Sequence, residues 1–476
     1  MTTKTTPPPG GPAAMAADFV TRDTAEPLAW YYNKTYYFKH PRGDDFEWMG
    51  KTKDEAQRHL RAAPFNKSNK KNDGEAMSEL ERALYEIETN YRLEFVFDRV
   101  AGWRKGIQRN EFGKQFLIER EPEIMTPVPG TWDHLGEFFD NAFKDPETGI
   151  DQRPYFHGWV QHALEGLYKS KPTQGLCLVF GGTVRAGKTL MIHKMLAPLF
   201  GGGFAQPFQN MTGGTQFNSD RFPYVLQVID DELSNTKMQV RKAISAELKQ
   251  LTSTIRRSFS KKNKDTEYID THWRGIVCCN TDPESIRVLP PLADGTADKM
   301  LMLKFCKPHE IFSEDASEEE KSALLKPMIA ELPSYLYWLQ NDFTLPQEYR
   351  SNRGGVKPFK HPEISNALFE TGRGYTLLCM IERLIFKTYN GLPTVKEWPE
   401  NGEATISDLL AVLQSDPKPG VERSYVERLD RAWLGRDYSE LCRRYPDRFI
   451  GGDDVRTGQK RLIKMCWGGF GPAGDE

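Results

Sequence analysis

The chain is predicted to adopt an α/β fold, and three stretches predict it. Leu176-Cys-Leu-Val-Phe180 runs into a glycine-rich loop, Tyr224-Val-Leu-Gln-Val-Ile229 stops at Asp230, Asp231 and Glu232, and Arg274-Gly-Ile-Val-Cys-Cys279 stops at Asn280. Each has the length and composition of a buried strand. A small aromatic β-rich domain is expected before this core, and a mostly helical segment after it.

The first stretch leads into Gly182-Thr183-Val184-Arg185-Ala186-Gly187-Lys188-Thr189, which fits the phosphate-loop pattern G-x-x-x-x-G-K-[ST] at every fixed position. Its end glycines let the backbone curl so that successive N–H groups face an anion. Lys188 supplies charge to the β/γ oxygens, and Thr189 a hydroxyl for Mg²⁺. The helix expected next, Leu190 to Ala197, adds its positive end to the same site. The implied cofactors are ATP and Mg²⁺.

The acidic strand end is the second half of such a site. Magnesium needs a hard oxygen ligand there, assigned to Asp230, and hydrolysis needs a carboxylate to orient water, assigned to Asp231 with Glu232 as its substitute. Asn280 ends the third strand with an amide that can reach the γ-phosphate or the water. Between the last two strands, Thr254 to Tyr268 reads as a β-hairpin whose turn carries Lys261, Lys262 and Lys264. Taken alone, such a turn is a solvated charge run.

The composition fits a packed globular protein: 476 residues, 38% hydrophobic and 12% aromatic. Net charge is −2, so any nucleic-acid contact must come from local basic clusters. Seven cysteines occur without a C-x-x-C, and Cys177, Cys278, Cys279 and Cys306 lie in apolar runs, which fits a reducing cytoplasm. No stretch has the length and apolarity of a membrane span, and the first residues lack the apolar core of a signal peptide.

In chain order, 1–20 reads as a disordered tail and 21–75 as the small aromatic domain with its linker. Trp30-Tyr-Tyr and Tyr36-Tyr-Phe-Lys39 there suggest a meander, with a helix from Asp54 to Ala62. Aromatics interleaved with lysine can stack single-stranded bases, but a sheet this small also needs large side chains for its core, and the core reading is preferred. Residues 76–150 read as a helical collar, 151–310 as the ATPase domain, 311–360 as a helical extension and linker, and 361–476 as a helical, winged-helix-like domain. Arg443, Arg444, Lys460 and Arg461 are that domain's candidate phosphate contacts, and a helical cap with a solvated basic surface is the alternative.

Phosphate loop, acidic strand, basic hairpin and Asn-ended strand, in that order within about a hundred residues, resemble the ATPase core of superfamily 3 helicases, nearest the phage and poxvirus-type primase-helicases. The likeness extends from Trp103-Arg-Lys-Gly and Pro127-Val-Pro-Gly-Thr-Trp132 to Leu289-Pro-Pro-Leu and Asp298-Lys299. It implies an AAA+-like core, a homohexamer on single-stranded DNA in its channel, and Lys188, Asp230, Asp231 and Asn280 in the family's catalytic roles. It also implies that Lys261, Lys262 and Lys264 track DNA, that Arg287 or Lys299 serves the neighbouring subunit, and that a separate primase or polymerase is a further partner. The expected activity is ATP-driven DNA unwinding in the replication of a phage or mobile element. An ATP-switched initiator, or a DNA translocase without strand separation, is the alternative. No Asp-x-Asp pair marks the N-terminal part as a primase.

Overall fold

Residues 26–110, 112–211, 213–230, 238–262, 266–290, 297–307, 317–385, 388–389, 392–393, 403–451 and 462–465 are described by the computed structural model. The chain divides into two units, one of Met1–Asp98 with Lys105–Arg120 and one of Arg99–Arg104 with Glu121–Glu476.

In the first unit, β1 (Trp30–Tyr32), β2 (Thr35–Arg42) and β3 (Asp45–Lys51) form an antiparallel meander in the register Trp30↔Tyr37 and Phe38↔Met49. Asn33 and Lys34, both at positive φ, make its first two-residue turn. Helices α1 (Lys53–Arg61) and α2 (Glu79–Asn90) each begin with a reciprocal cap, Thr52 with Glu55 and Ser78 with Glu81. The strand period of two then puts the aromatic run to work on both faces. Tyr36 and Phe38 pack with Leu60, Leu84 and Ile87, while Trp30, Tyr32, Tyr37 and Trp48 pack against Leu93, Val96 and Leu117.

Leu93, Val96 and Leu117 belong to a region whose structure differs from the expected collar. After α2 come β4 (Phe95–Phe97), β5 (Gly106–Arg109) and β6 (Gln115–Ile118), a sheet in the order β4-β6-β5. The helical spacing of Tyr91 and Phe95 continues by coincidence past the end of α2. The aromatic and branched residues of Phe95-Val-Phe97 and Phe116-Leu-Ile118 favour strands over another turn of helix.

The second unit is built on a parallel sheet. Helices α3 (Asp133–Phe143) and α4 (Arg153–Tyr168) precede β7 (Cys177–Gly182). A continuous helical run follows: α5 (Lys188–Met191), a π turn at Ile192–Leu196, and α6 (Ala197–Leu199). Next come β8 (Phe204–Ala205), α7 (Phe208–Met211), β9 (Leu226–Asp230) and α8 (Met238–Ser253). The hairpin of β10 (Arg256–Phe259) and β11 (Glu267–Asp270), then β12 (Arg274–Asn280) and β13 (Met300–Lys304), complete this part.

Five of these strands pair in the order β13-β7-β12-β9-β8, every pair parallel. Every residue of β7 and β12 is buried, as the apolar runs predict. From β7 the chain crosses to the far edge, fills inward through β9 and β12, and then passes to the other side of β7. The carboxyl end of β7 is thus the switch point of the sheet, where a crevice for ligands opens.

Beyond the sheet, α9 (Glu318–Ala330) carries Pro327 in its interior, and Pro333 lies in the first turn of α10 (Leu332–Asn341), where a missing N–H is harmless. A short hairpin of β14 (Arg350–Ser351) and β15 (Gly355–Val356) follows. The chain then runs beside β13, Met302 N donating to Phe359 O at 2.7 Å and His361 N to Met302 O at 3.0 Å.

The C-terminal part holds α11 (Pro362–Glu370) and α12 (Arg373–Leu384), which break apart at Thr371-Gly372. The small β16 (Thr388–Tyr389) and β17 (Leu392–Pro393), then β18 (Glu403–Thr405), α13 (Ile406–Ser415), α14 (Val421–Val426) and α15 (Arg431–Arg444) follow. The last strands are β19 (Phe449–Ile450) and β20 (Leu462–Met465). Strands β18, β20 and β19 make an antiparallel sheet in that order, sharing a core of Leu377, Ile381, Leu409, Leu434, Tyr438 and Ile463 with the helices.

Candidate nucleotide site

Sheet register builds the site. Asn280 pairs with Gly182 and Cys278 with both Phe180 and Asp230, so the phosphate loop, the acidic strand end and the terminal amide leave the same edge of the sheet. The loop's two fixed glycines are required for different reasons. A Cβ on Gly182 would collide with the carbonyl oxygen of Phe305, while Gly187 sits at φ 94°, a conformation that disfavours side chains. Arg185 also lies at positive φ, 60°. Ala186 is buried, and Thr183, Val184, Arg185 and Thr189 are exposed.

Lys188 is 5% exposed. Its Nζ donates to Thr183 O at 2.7 Å and to Asn280 Oδ1 at 2.8 Å, with Gly182 O at 3.5 Å. These neutral oxygens hold the ammonium within the loop, where its charge would meet a bound phosphate. Asp230 ends β9 with its Oδ1 buried and without a hydrogen-bond partner among the described residues. An orphaned carboxylate oxygen at this edge fits a ligand to a hard cation, and with the loop it fits Mg²⁺ and a triphosphate. Asp231 and Glu232 lie outside the described residues, as do Lys264, Lys460 and Arg461.

Arg287 is exposed on the 3-10 turn Ser285–Val288, just past the carboxyl end of β12. Lys299 immediately precedes β13, and because β13 runs parallel to β7 it stands at the opposite end of the sheet from the loop. Lys261 and Lys262 are exposed at the end of the β10–β11 ladder. Arg443 is exposed, while Arg444 hydrogen-bonds Asn366 and lies 4.4 Å from the Phe369 ring centre. Adjacent residues of α15 point to different sides, so the two arginines have different neighbours.

Two clusters escaped sequence reasoning. At the base of the hairpin, Arg221 and Arg257 lie 4.6 and 5.3 Å from the Trp273 ring centre, and Arg221 pairs with Glu247 of α8 at 2.8 Å. Burial pushes Arg257 down to about 10, partly countered by Glu247. Beside the loop, Lys304 Nζ meets Asp145 at 3.3 Å, Glu147 at 2.8 Å and Glu363 at 2.5 Å, and His361 Nε2 lies 3.1 Å from Asp145. Burial opposes the Lys304 charge, but these carboxylates outweigh it and hold the ammonium above its usual range. No spacing pattern announces such groups, because each cluster draws from distant segments.

A family of unknown function, DUF5906, matches residues 180–293, the stretch from the phosphate-loop strand to just past Arg287. No curated protein matches the chain. Among solved structures it is similar to an A-form apo structure of the NrS-1 C-terminal region (12% identity, TM-score 0.52, covering 92% of this chain and 96% of that one). A second apo structure of that region matches at 12% identity and TM-score 0.52, covering 92% and 95%. A JCV helicase structure matches at 13% identity and TM-score 0.24, covering 52% of this chain and 71% of that one. At these identities the NrS-1 likeness bears on the fold alone. Among the described residues, no helix is long and apolar enough to cross a membrane.

Proposed function

We propose that the chain is an ATP-driven DNA helicase, working as a homohexamer in the replication of a phage or mobile element. The observation that carries this is the meeting of Lys188 and Asn280 at 2.8 Å beside an Asp230 oxygen that has no hydrogen-bond partner among the described residues, on the switch-point edge of a parallel sheet. When bound, Mg·ATP supplies the phosphoanhydride to be broken and the divalent charge on its oxygens. The curled backbone from Gly182 to Gly187 orients N–H groups toward the anion. Lys188 exchanges Thr183 and Asn280 for phosphate oxygens, leaving the Asn280 amide to position water, with Asp231 or Glu232 as the base. Asp230 is the assigned metal ligand and Thr189 its companion.

Arg287, exposed on the loop side, is the better placed of the two candidate trans-acting cations. Lys261, Lys262 and Lys264 hold one DNA strand by its phosphates, a sequence-independent and salt-sensitive grip. Strand displacement on forked DNA tests the whole reading. The wild type should release strand with ATP, and Lys188→Ala should not. DNA-stimulated turnover without released strand would instead make the protein a translocase.

A further inference from the structure

Apart from the crevice at the sheet edge, the second unit holds an aromatic cavity of about 230 Å³ between α3, the start of α4 and the end of α10. We propose that this cavity binds a neutral, phosphate-free heteroaromatic ring of the nucleobase type, held by stacking and by one hydrogen bond from His157.

Four rings make its walls. Trp132 and Trp338 lie 4.7 Å apart by ring centres, and Phe139 and Phe343 line the cavity with them. Gly136 leaves room for the Trp132 ring, whose Cζ3 is only 3.2 Å from where a Cβ would stand. Gln161 fixes the end of α10 by donating to Leu339 O at 2.8 Å and to Phe343 O at 3.1 Å. Walls built in advance cost a ligand little ordering. A dry apolar cavity of about 150 Å³ takes up benzene, so this one has room for two fused rings. Phe139 backs onto Phe143 and Phe156, which stack at 4.4 Å and in turn meet Phe180 of β7. A fully buried layer thus separates the cavity from the phosphate-loop strand.

His157 supplies the polar end. It lines the cavity and is 6% exposed, with Nδ1 2.9 Å from Tyr335 Oη. Its Nε2 has no hydrogen-bond partner among the described residues and is not sealed from solvent. Tyr335 is fully buried with no other polar partner among those residues, so its O–H donates to Nδ1; the reverse would strand that proton. The ring proton therefore sits on Nε2, as a donor to whatever enters. Burial pushes the imidazole down to about 3, which keeps it neutral. Charge at the rim cancels: Arg153 pairs with Asp140 and, at 2.7 Å, with Asp151, while Lys144 meets Asp140 at 2.7 Å. No cation is left over there for a phosphate, and no carboxylate for an ammonium. The cavity suits an uncharged ring carrying an acceptor, which a phenyl or indole group lacks.

The test is calorimetric titration of the full chain, without ATP or DNA, with guanosine and with cytidine. Guanosine should bind saturably and more tightly than cytidine, since its two rings stack over more surface. Trp338→Ala should weaken it about tenfold or more. His157→Phe/Tyr335→Phe, which removes the donor and its buried partner together, should weaken it about three- to tenfold while the melting temperature stays near that of the wild type. Lys188→Ala should bind guanosine as the wild type does. A wild type that binds neither nucleoside would overturn the proposal and leave the cavity to water. Guanosine binding that survives Trp338→Ala, or is lost with Lys188→Ala, would overturn it too, and so would a KM for ATP raised by Trp338→Ala, which would assign the cavity to the base of ATP. The proposal does not rest on the motor reading: a chain without strand release should bind guanosine all the same.

Discussion

Lys188 and the pair Lys261 and Lys262 are the same residue type in opposite settings. Lys188 is buried, with its ammonium aimed by two backbone carbonyls and an amide, while Lys261 and Lys262 stand in water at a hairpin end. On the proposed function, the difference is one of task. A cation that must meet a phosphate at one fixed point is placed by the fold. Cations that slide along many equivalent phosphates are left hydrated, since a weak grip at each point lets the strand advance.

That contrast breaks most visibly at the buried lysine. Lys188→Ala should lower ATP turnover by about 10²- to 10³-fold, the usual cost of removing one preorganised donor to developing charge. Circular dichroism should be unchanged, because the acceptors left behind are next to the open crevice. Asn280→Ala comes next. It should cost about 10- to 100-fold in kcat with little change in KM, which steady-state ATPase kinetics separates, since the amide serves the transition state more than binding.

The exposed lysines sharpen the comparison from the other side. Lys261→Ala/Lys262→Ala should leave DNA-free turnover intact while flattening the salt slope of single-strand binding by about 1.4, from roughly 0.7 per contact. A loss of basal turnover in that variant would erase the distinction between the two kinds of lysine.

The smallest effect concerns burial itself. Burial pushes His157 down to about 3 and His272 well below its ordinary 6.5. Both stay neutral in the folded chain, while the unfolded chain takes up their protons below pH 6.5. Their contribution to stability is therefore full above pH 6.5 and is lost as pH falls toward the folded values. Thermal melts from pH 7 to pH 5 should show a falling Tm, and His157→Gln should flatten the trend. A Tm insensitive to pH over that range would contradict the burial of both rings.

Much of the core was readable because each strand carries a local signal. Leu176 to Phe180, Val225 to Ile229 and Ile276 to Cys279 are apolar runs ending in the groups of the candidate site, so strand and site are read together. The paired box residues Thr52/Glu55 and Ser78/Glu81 likewise mark helix starts by position alone. What was not readable depends on distant partners. Phe95-Val-Phe97 becomes a strand because Phe116-Leu-Ile118 lies beside it, not because its own spacing excludes a helix. Gly182 looks like a flexibility residue and is instead needed for the approach of Phe305. The choice between Arg287 and Lys299 is informed only by strand direction, and the contacts of Arg444 with Asn366 and Phe369 only by the folding of α11 against α15.

The central claim is that three strand ends converge on one triphosphate. Titration of ATP into the wild type and Lys188→Ala by calorimetry, with and without Mg²⁺, tests it most directly. The account predicts saturable binding that weakens when either the metal or the Lys188 side chain is removed. Equal affinity in all three cases would contradict it.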